Sequence, residues 1–277
     1  MLRALLAAAL AGAICTSCGA KSPLIVPDVV RAEDVVADTP CAPSTEVCNG
    51  RDDDCNGLVD DIDEGHDGIT DCLAIAVLGN PGRDPNSNFE HWLHTNGPRV
   101  DRLLTSREPR LTAELLAPYN VVILDFLTRE YAPAERDVLV AWVAAGGGLF
   151  SMTGHVFSLI SVDRPGSLLE GFGVGYIDGL LDEQVRMFST HPTVEGISQL
   201  PFFGAYRVEL RNPPAASHGA QIIATVPEGS AGAALEFGRG RVVVWGDEWI
   251  EYDSQWRSIP DVSRFWVNSL GWLTRSR

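Results

Sequence analysis

Beyond Cys72 the 277-residue chain has no cysteine. That removes a thiol nucleophile from the whole of residues 73–277. Basic residues are also few, 21 lysines and arginines against 37 acids, and they form no stripe. Without such a stripe nucleic acid is excluded as a partner. Long apolar runs are missing too: the best, Leu5 to Ile14, falls short of the ~20 residues that a bilayer-spanning helix needs. What remains is 45% hydrophobic, enough to bury a real core in one or two domains.

The acids are unevenly spread. Residues 22–72 carry 14 of them against Arg31 and Arg51, whereas residues 73–277 carry 23 against 17 arginines. Ahead of the acidic segment, MLRALLAAALAGAICTSCGAK has one early positive charge, a short apolar run and then small residues. This is the layout of a secretory signal. Thr16-Ser17-Cys18-Gly19 resembles a bacterial lipobox, with Cys15 where leucine is usual, which implies a signal peptide over residues 1–17 and lipidation of Cys18. Ordinary cleavage after a small residue is the alternative. Residues 18–40, with three prolines and no sustained period, read as a flexible tether.

Removing Cys15 and Cys18 leaves Cys41, Cys48, Cys55 and Cys72, an even set within the acidic segment of an exported chain. Disulfides are expected there, in any of three pairings. Residues 41–72 are too few to hold a core of their own, so disulfides and metal are expected to staple them. Counting Asp52 as position one, side-chain oxygens fall at Asp52, Asp54, Asn56, Asp60 and Asp63, with Gly57 at position six and Leu58 offering its carbonyl at position seven. That is the ligand rhythm of a calcium loop, although position twelve holds Asp63 where glutamate is usual. The string CAPSTEVCNGRDDDCNGLVDDID also resembles the MopE-type metal-binding repeat of bacterial surface proteins. The resemblance implies metal binding and surface display; no His or Met cluster supports copper.

From Leu73 the pattern changes. LAIAVLG, NVVILDFL and GLFSMTG read as buried strands, and APAERDVLVAWVAAGGG between the last two reads as a helix starting near Pro133 and stopping at Gly146, with Val138, Val140, Ala141 and Val143 apolar. Strand, helix, strand implies a parallel crossover. AQIIATV, AALEFG and GRVVVWGD read as further short strands, some of them antiparallel at a sheet edge. Asp261 is placed to cap a last helix whose Phe265, Trp266, Leu270 and Leu273 face the sheet. With GGGL, HPTVEGI and GRGRVVVWGDEW, residues 73–277 resemble the class I glutamine amidotransferase-like superfamily, which implies an α/β, flavodoxin-like, mostly parallel sheet with helices on both faces. The family's cysteine elbow corresponds to Ser151-Met152-Thr153-Gly154-His155, which has no thiol.

Ser151 or Thr153 with His155 or His191 would make a hydrolase pair, but no G-x-S-x-G elbow is present. His91 and His94 share a helix face without a third ligand. The string WGDEWIEYDSQW sets carboxylates among aromatic rings, the composition of a sugar-binding cleft and equally of a packed corner. The candidate ligand-binding residues are therefore His155, Asp247, Glu248, Trp249 and Asp253, with no catalytic set. The expectation is an extracytoplasmic lipoprotein of the outer membrane or cell surface, lipid-anchored, calcium-stabilised, and binding or scaffolding a carbohydrate or an envelope protein. The contrary expectation is an extracytoplasmic hydrolase using the acids and His155 at the sheet edge.

Overall fold

The computed structural model describes residues 42–49, 51–66, 68–96, 99–103, 109–155 and 160–274, so the signal segment, the tether, Cys18 and Cys41 lie outside the described residues. Residues 41–277 form one compact unit. The three apolar runs become β1 (Ala74–Leu78), β3 (Val121–Leu124) and β4 (Gly148–Met152). With β2 (Arg99–Arg102) and β10 (Gly240–Trp245) they make a parallel sheet in the order β2-β1-β3-β4-β10. All of β3, β4 and β10 is buried, which is why these segments are continuously apolar rather than alternating.

Past β10 the sheet continues antiparallel through β9 (Gly229–Phe237), β8 (Ser217–Val226) and the two-residue β6 (Met187–Phe188). The late strands thus divide: β8 and β9 are the expected antiparallel extension, while β10 is a central parallel strand, paired Val243 to Phe150 of β4. Two long strands that the sequence reading did not anticipate, β5 (Val174–Val185) and β7 (Leu200–Leu210), form a separate antiparallel ribbon. Their irregular patterning, with bulges near Ile177 and Leu181, hides them from a period-two search.

Successive residues of β1 serve opposite cores. Ile75 and Val77 pack with Phe89 and Leu93 of α1 (Ser87–Asn96) and Phe265, Trp266 and Leu270 of α6 (Asp261–Thr274). Ala76 and Leu78 pack with Leu116 of α2 (Ala113–Leu116), Leu139 and Val143 of α3 (Pro133–Ala144) and Leu168 of α4 (Ile160–Leu169). This alternation across the pleat puts helices on both faces. In α6 the four expected residues are all buried. Its first residue behaves differently, because the Asp261 carboxylate accepts from the Ser198 and Gln199 amides and holds the turn before β7. In α3 the inward face is Leu139 and Val143; Ala141, expected on the apolar face, is exposed.

The acidic segment is joined to the sheet without a gap. Cys48 and Cys72 are bonded with Cα atoms 5.3 Å apart, and Cys55 is also disulfide-bonded. Ile69 and Leu73 enter the same core as α6, and a Cβ on Gly68 would touch Val267. The segment too small to have a core therefore borrows one.

A buried carboxylate anchors α3. Glu135 accepts two bonds from Arg129, at 2.7 and 3.0 Å, and one each from the Leu111 and Ala132 amides. Arg129 first, then the amides, hold its carboxyl down to about 2 despite the opposing effect of burial. A depressed carboxylate gives stability that is present above its unfolded pKa, about 4.3, and disappears as pH falls through the folded value. Glu135→Gln is expected to cost about 1–3 kcal/mol at pH 7, with the gap from wild type closing between pH 4 and pH 2 in urea melts. A gap that stays constant over that range contradicts the assignment.

Candidate functional site

Three strands of the parallel sheet, the adjacent β4 and β10 and, across β3, β1, deliver their following residues to one edge: β1 leads to Gly82, Arg83 and Asp84, β4 to Gly154 and His155, and β10 to Asp247, Glu248 and Trp249. Ligands of open α/β sheets bind at this carboxyl edge. The ribbon closes it from the side with Asp182 of β5 and Phe203 and Gly204 of β7. Arg83, Asp84, His155, Glu248, Trp249 and Tyr252, with these three ribbon residues, line an open cavity of about 410 Å3.

The five residues expected to bind ligand separate into wall and support. His155, Glu248 and Trp249 line the cavity. Trp249 is half-buried, edge-on to Phe203 at 5.2 Å and to Tyr252 at 5.6 Å. Asp247 is fully buried and turned away, its two oxygens accepting from the Phe203 amide at 2.9 Å and the Trp249 amide at 3.1 Å. Asp253 opens α5 (Asp253–Ser258) but serves α1, accepting from the Asn88 amide at 2.8 Å and the Ser87 hydroxyl at 2.6 Å. Burial works to raise its pKa, and these two donors reverse that to a net lowering. A carboxylate of the chain itself thus satisfies the start of α1.

Glu248 is the unusual member. It is 5% exposed, its Oε1 accepts from the Tyr252 hydroxyl at 3.2 Å, and the Tyr252 oxygen in turn accepts from the Arg83 amide at 3.0 Å. Its Oε2 is buried with no donor facing it, and the Asp247 carboxyl is its acidic neighbour. Burial, then the charge of Asp247, push its pKa up. Asp247 is raised as well, by burial, with its two amides offsetting part of the effect. Two desolvated carboxyls in contact do not both ionise, and Asp247, with two N–H donors, is the better seat for the charge. Glu248 therefore keeps the proton.

Beneath this pair lies a second set of buried acids. Asp125 follows β3 and is bridged by Arg102 at 2.8 Å, which also pairs with Glu90. Glu251 accepts from the Gly82 amide at 2.8 Å and from Asn86 at 3.0 Å. Burial raises the pKa of both Asp125 and Glu251. Glu251 belongs to the string WGDEWIEYDSQW already noted; Asp125 was not singled out, although an acid inside the apolar run NVVILDFL is a signal that points to it. Asp182, Phe203 and Gly204 had no such signal, since only the ribbon brings them here.

Two members of the expected hydrolase pairings, Ser151 and His191, are engaged elsewhere. Ser151 is fully buried and its hydroxyl is 2.8 Å from that of Tyr176, which donates onward to the Trp245 carbonyl. His191 accepts from the Thr193 amide, meets Trp272 edge to face, and is pushed down to about 4 by burial and then by Arg241. It starts a turn, as its place before Pro192 suggested. His91 and His94 are both exposed on α1.

In the acidic loop, ligand atoms of Glu46, Asp52 and Asp54 lie within 4.8 Å of one another. Two of these were expected. Glu46 was not, yet it organises the loop: its carboxylate accepts from the amides of Asp53, Asp54 and Asp60. Asp52 accepts from the Asn56 and Gly57 amides, and Gly57 has φ of +91°, as position six requires. Asp60 and Asp63 are turned to other tasks, accepting from the Asn49 and Gly68 amides. Asn56 bonds Asp54 and Asp61, and the Leu58 amide donates to Asn56.

No family model and no curated protein matches the sequence. Solved structures do match. Two cytoplasmic proteins of Salmonella typhimurium, STM1381 and STM3548, superpose with TM-scores of 0.55 and 0.54 at 16% and 17% identity, over 73% and 74% of this chain and all of theirs. The chain has a flavodoxin-type fold. A glutamine amidotransferase of Thermotoga maritima is more distant, with a TM-score of 0.45 and 11% identity over 73% of this chain and 98% of that one. At these identities the likeness is one of fold alone, and activity has to be argued from the site.

One glycine reports on the wall. A Cβ on Gly154 would lie 1.3 Å from Glu248 Oε2, so only glycine leaves room for that carboxyl. Gly154→Ala is expected to displace Glu248 and to cost about 1–3 kcal/mol as overpacking. Thermal melting together with the Trp249-dependent part of the fluorescence checks this, and an unchanged melting point and spectrum would sink it.

Proposed function

We propose that the protein is a surface-anchored, non-catalytic lipoprotein whose α/β domain binds or scaffolds a carbohydrate or an envelope protein at the carboxyl edge of its sheet. The observation that carries this reading is the convergence of His155, Glu248 and Trp249 on one cavity with Tyr252 and Phe203. Against catalysis stand the locked Ser151 and the occupied carboxylate of Asp247. A raised carboxyl at Glu248 is the feature favouring a hydrolase, and its neighbouring acid, Asp247, is occupied by two backbone amides.

The lipid anchor at Cys18 rests on the lipobox resemblance. The resemblance to the MopE-type repeat implies a structural cation in the acidic loop, and the residues present suit calcium: three hard carboxylates gathered by one loop, with a glycine at its sharp turn. Glu46, Asp52 and Asp54 would hold the ion and thereby offset their mutual repulsion. The cation supplies structure here rather than chemistry.

Three experiments test the parts separately. Calcium added to the mature protein is expected to raise its melting temperature, by about 2.7 kcal/mol of stability at a hundredfold excess over Kd, and Asp54→Asn to abolish most of the shift; no shift in wild type ends the calcium reading. Palmitate labelling in vivo is expected to vanish in Cys18→Ala, and persistence would place the anchor elsewhere. For the cleft, soluble Cys18→Ala protein is expected to be retained by an envelope fraction of the producing bacterium without releasing soluble fragments. Asp84→Trp, which fills the cavity from its exposed rim, should abolish that retention, and equal retention would show that the cleft is not the binding surface.

A further inference from the structure

The fixed charges at the cavity do not balance. Asp84, from the loop after β1, and Asp182, from β5, are two exposed carboxylates at its rim, and Arg83 is the arginine beside them. Asp247 adds a buried negative charge next to the wall, held by two amides. Among the described residues none of these three acids is ion-paired. Asp182 commits one oxygen to the Gly204 amide at 2.7 Å, which fixes the carboxylate and leaves the other oxygen to a ligand.

Trp249 and Phe203 bring half-buried rings, 5.2 Å apart, to the same wall. Glu248 shapes that wall without offering a free oxygen, one being taken by Tyr252 and the other packed at Gly154. A ring beside a carboxylate suits a guanidinium, which lies on the aromatic face and directs its N–H groups into the acid. The molecule builds this arrangement twice from its own residues. Arg129 lies 3.8 Å from the centre of the Tyr131 ring while bonding both oxygens of Glu135, and Arg99 lies 4.8 Å from that of Tyr119 while bonding Asp101. At the cavity the rings and the acids are in place, and among the described residues Arg83 makes neither an ion pair nor a ring contact. A neutral sugar would use the rings and leave the charges unanswered, and an acidic one would add to them.

Resting on the binding-cleft reading above, we propose that the partner is an envelope protein that inserts an arginine side chain into this cavity, its guanidinium set against Trp249 and paired with Asp182 and Asp84. Arg83 opposes the incoming charge and limits the affinity. The net charge of -16 steers a basic partner toward the chain before contact is made. A single side chain suits the opening, since about 410 Å3 lies near the low end of the ~300–1,000 Å3 that whole small-molecule ligands fill.

The test titrates the soluble Cys18→Ala protein with blocked glycine tripeptides whose central residue is arginine, its uncharged isostere citrulline, or glutamate, and with cellotetraose, following heat and tryptophan fluorescence. The arginine peptide is expected to bind about tenfold more tightly than each of the others, with an affinity that falls as salt rises. Asp84→Asn combined with Asp182→Asn should weaken it about tenfold. Both positions are exposed, and an asparagine at 182 still accepts from the Gly204 amide, so the fold is kept. Trp249→Ala should weaken binding about threefold to tenfold, and Arg83→Ala should strengthen it about twofold. Citrulline binding as tightly as arginine overturns the proposal, as do an unchanged affinity in the double Asn variant and tighter binding of cellotetraose. If no peptide binds while envelope retention still depends on the cleft, the arginine is wrong and the binding reading stands. If retention is independent of the cleft as well, both fall.

Discussion

The parallel pairing of β10 with β4 is the interaction on which the site depends. Val243 against Phe150 and Trp245 against Met152 bring together segments nearly a hundred residues apart in sequence, so Asp247 and Glu248 arrive beside Gly154 and His155. The register admits no slip, because both strands are buried on both faces and Phe150 is already committed to Trp266 at a ring separation of 4.5 Å. Fixing that ladder fixes the floor of the cavity.

Acids accumulate at this edge for a reason that follows from the fold. Backbone amides at this edge go unpaired, and carboxylates satisfy them: Asp247 ties Phe203 of β7 to the loop after β10, Asp253 holds α1, and Glu251 holds the loop after β1. Each such carboxylate is desolvated, and at the neighbouring Asp125 and Glu90 the answer is a cation, Arg102, rather than an amide. Where donors outweigh burial the charge survives, as at Asp253 with the Asn88 amide and the Ser87 hydroxyl. Where burial and a neighbouring acid outweigh them, the proton is retained, as at Glu248. One structural need therefore generates both the scaffold and a neutral carboxyl facing a cavity.

The acidic segment obeys the same physics with a different remedy. Its three aspartates in a row repel in isolation, and the loop answers with backbone donors: Glu46 collects three amides and Asp52 two. The Cys48–Cys72 bond closes the segment, and Ile69 and Leu73 tie it to α6. Its shape is thus derived from the large domain as much as from its own residues.

Much was legible in the sequence alone. Continuous apolar runs announced β1, β3 and β4, since burial on both faces leaves no polar alternation, and Pro133 and Gly146 bounded α3 because their backbone preferences are local. WGDEW stood out as a group of acids among aromatics, and the cysteine count called for disulfides. What only the tertiary structure decided is partnership. Asp247 and Glu248 are neighbours in sequence, yet one is a buried brace and the other a cavity wall, because Phe203 comes from a ribbon whose strands carry no clean period. Cys48 chose Cys72 among three pairings, Glu46 rather than Asp63 joined Asp52 and Asp54, and Asp261 turned from its own helix to Ser198. Local chemistry sets what a residue can do; the long-range meeting of β4, β10 and the ribbon, which no local pattern encodes, sets which of those things it does.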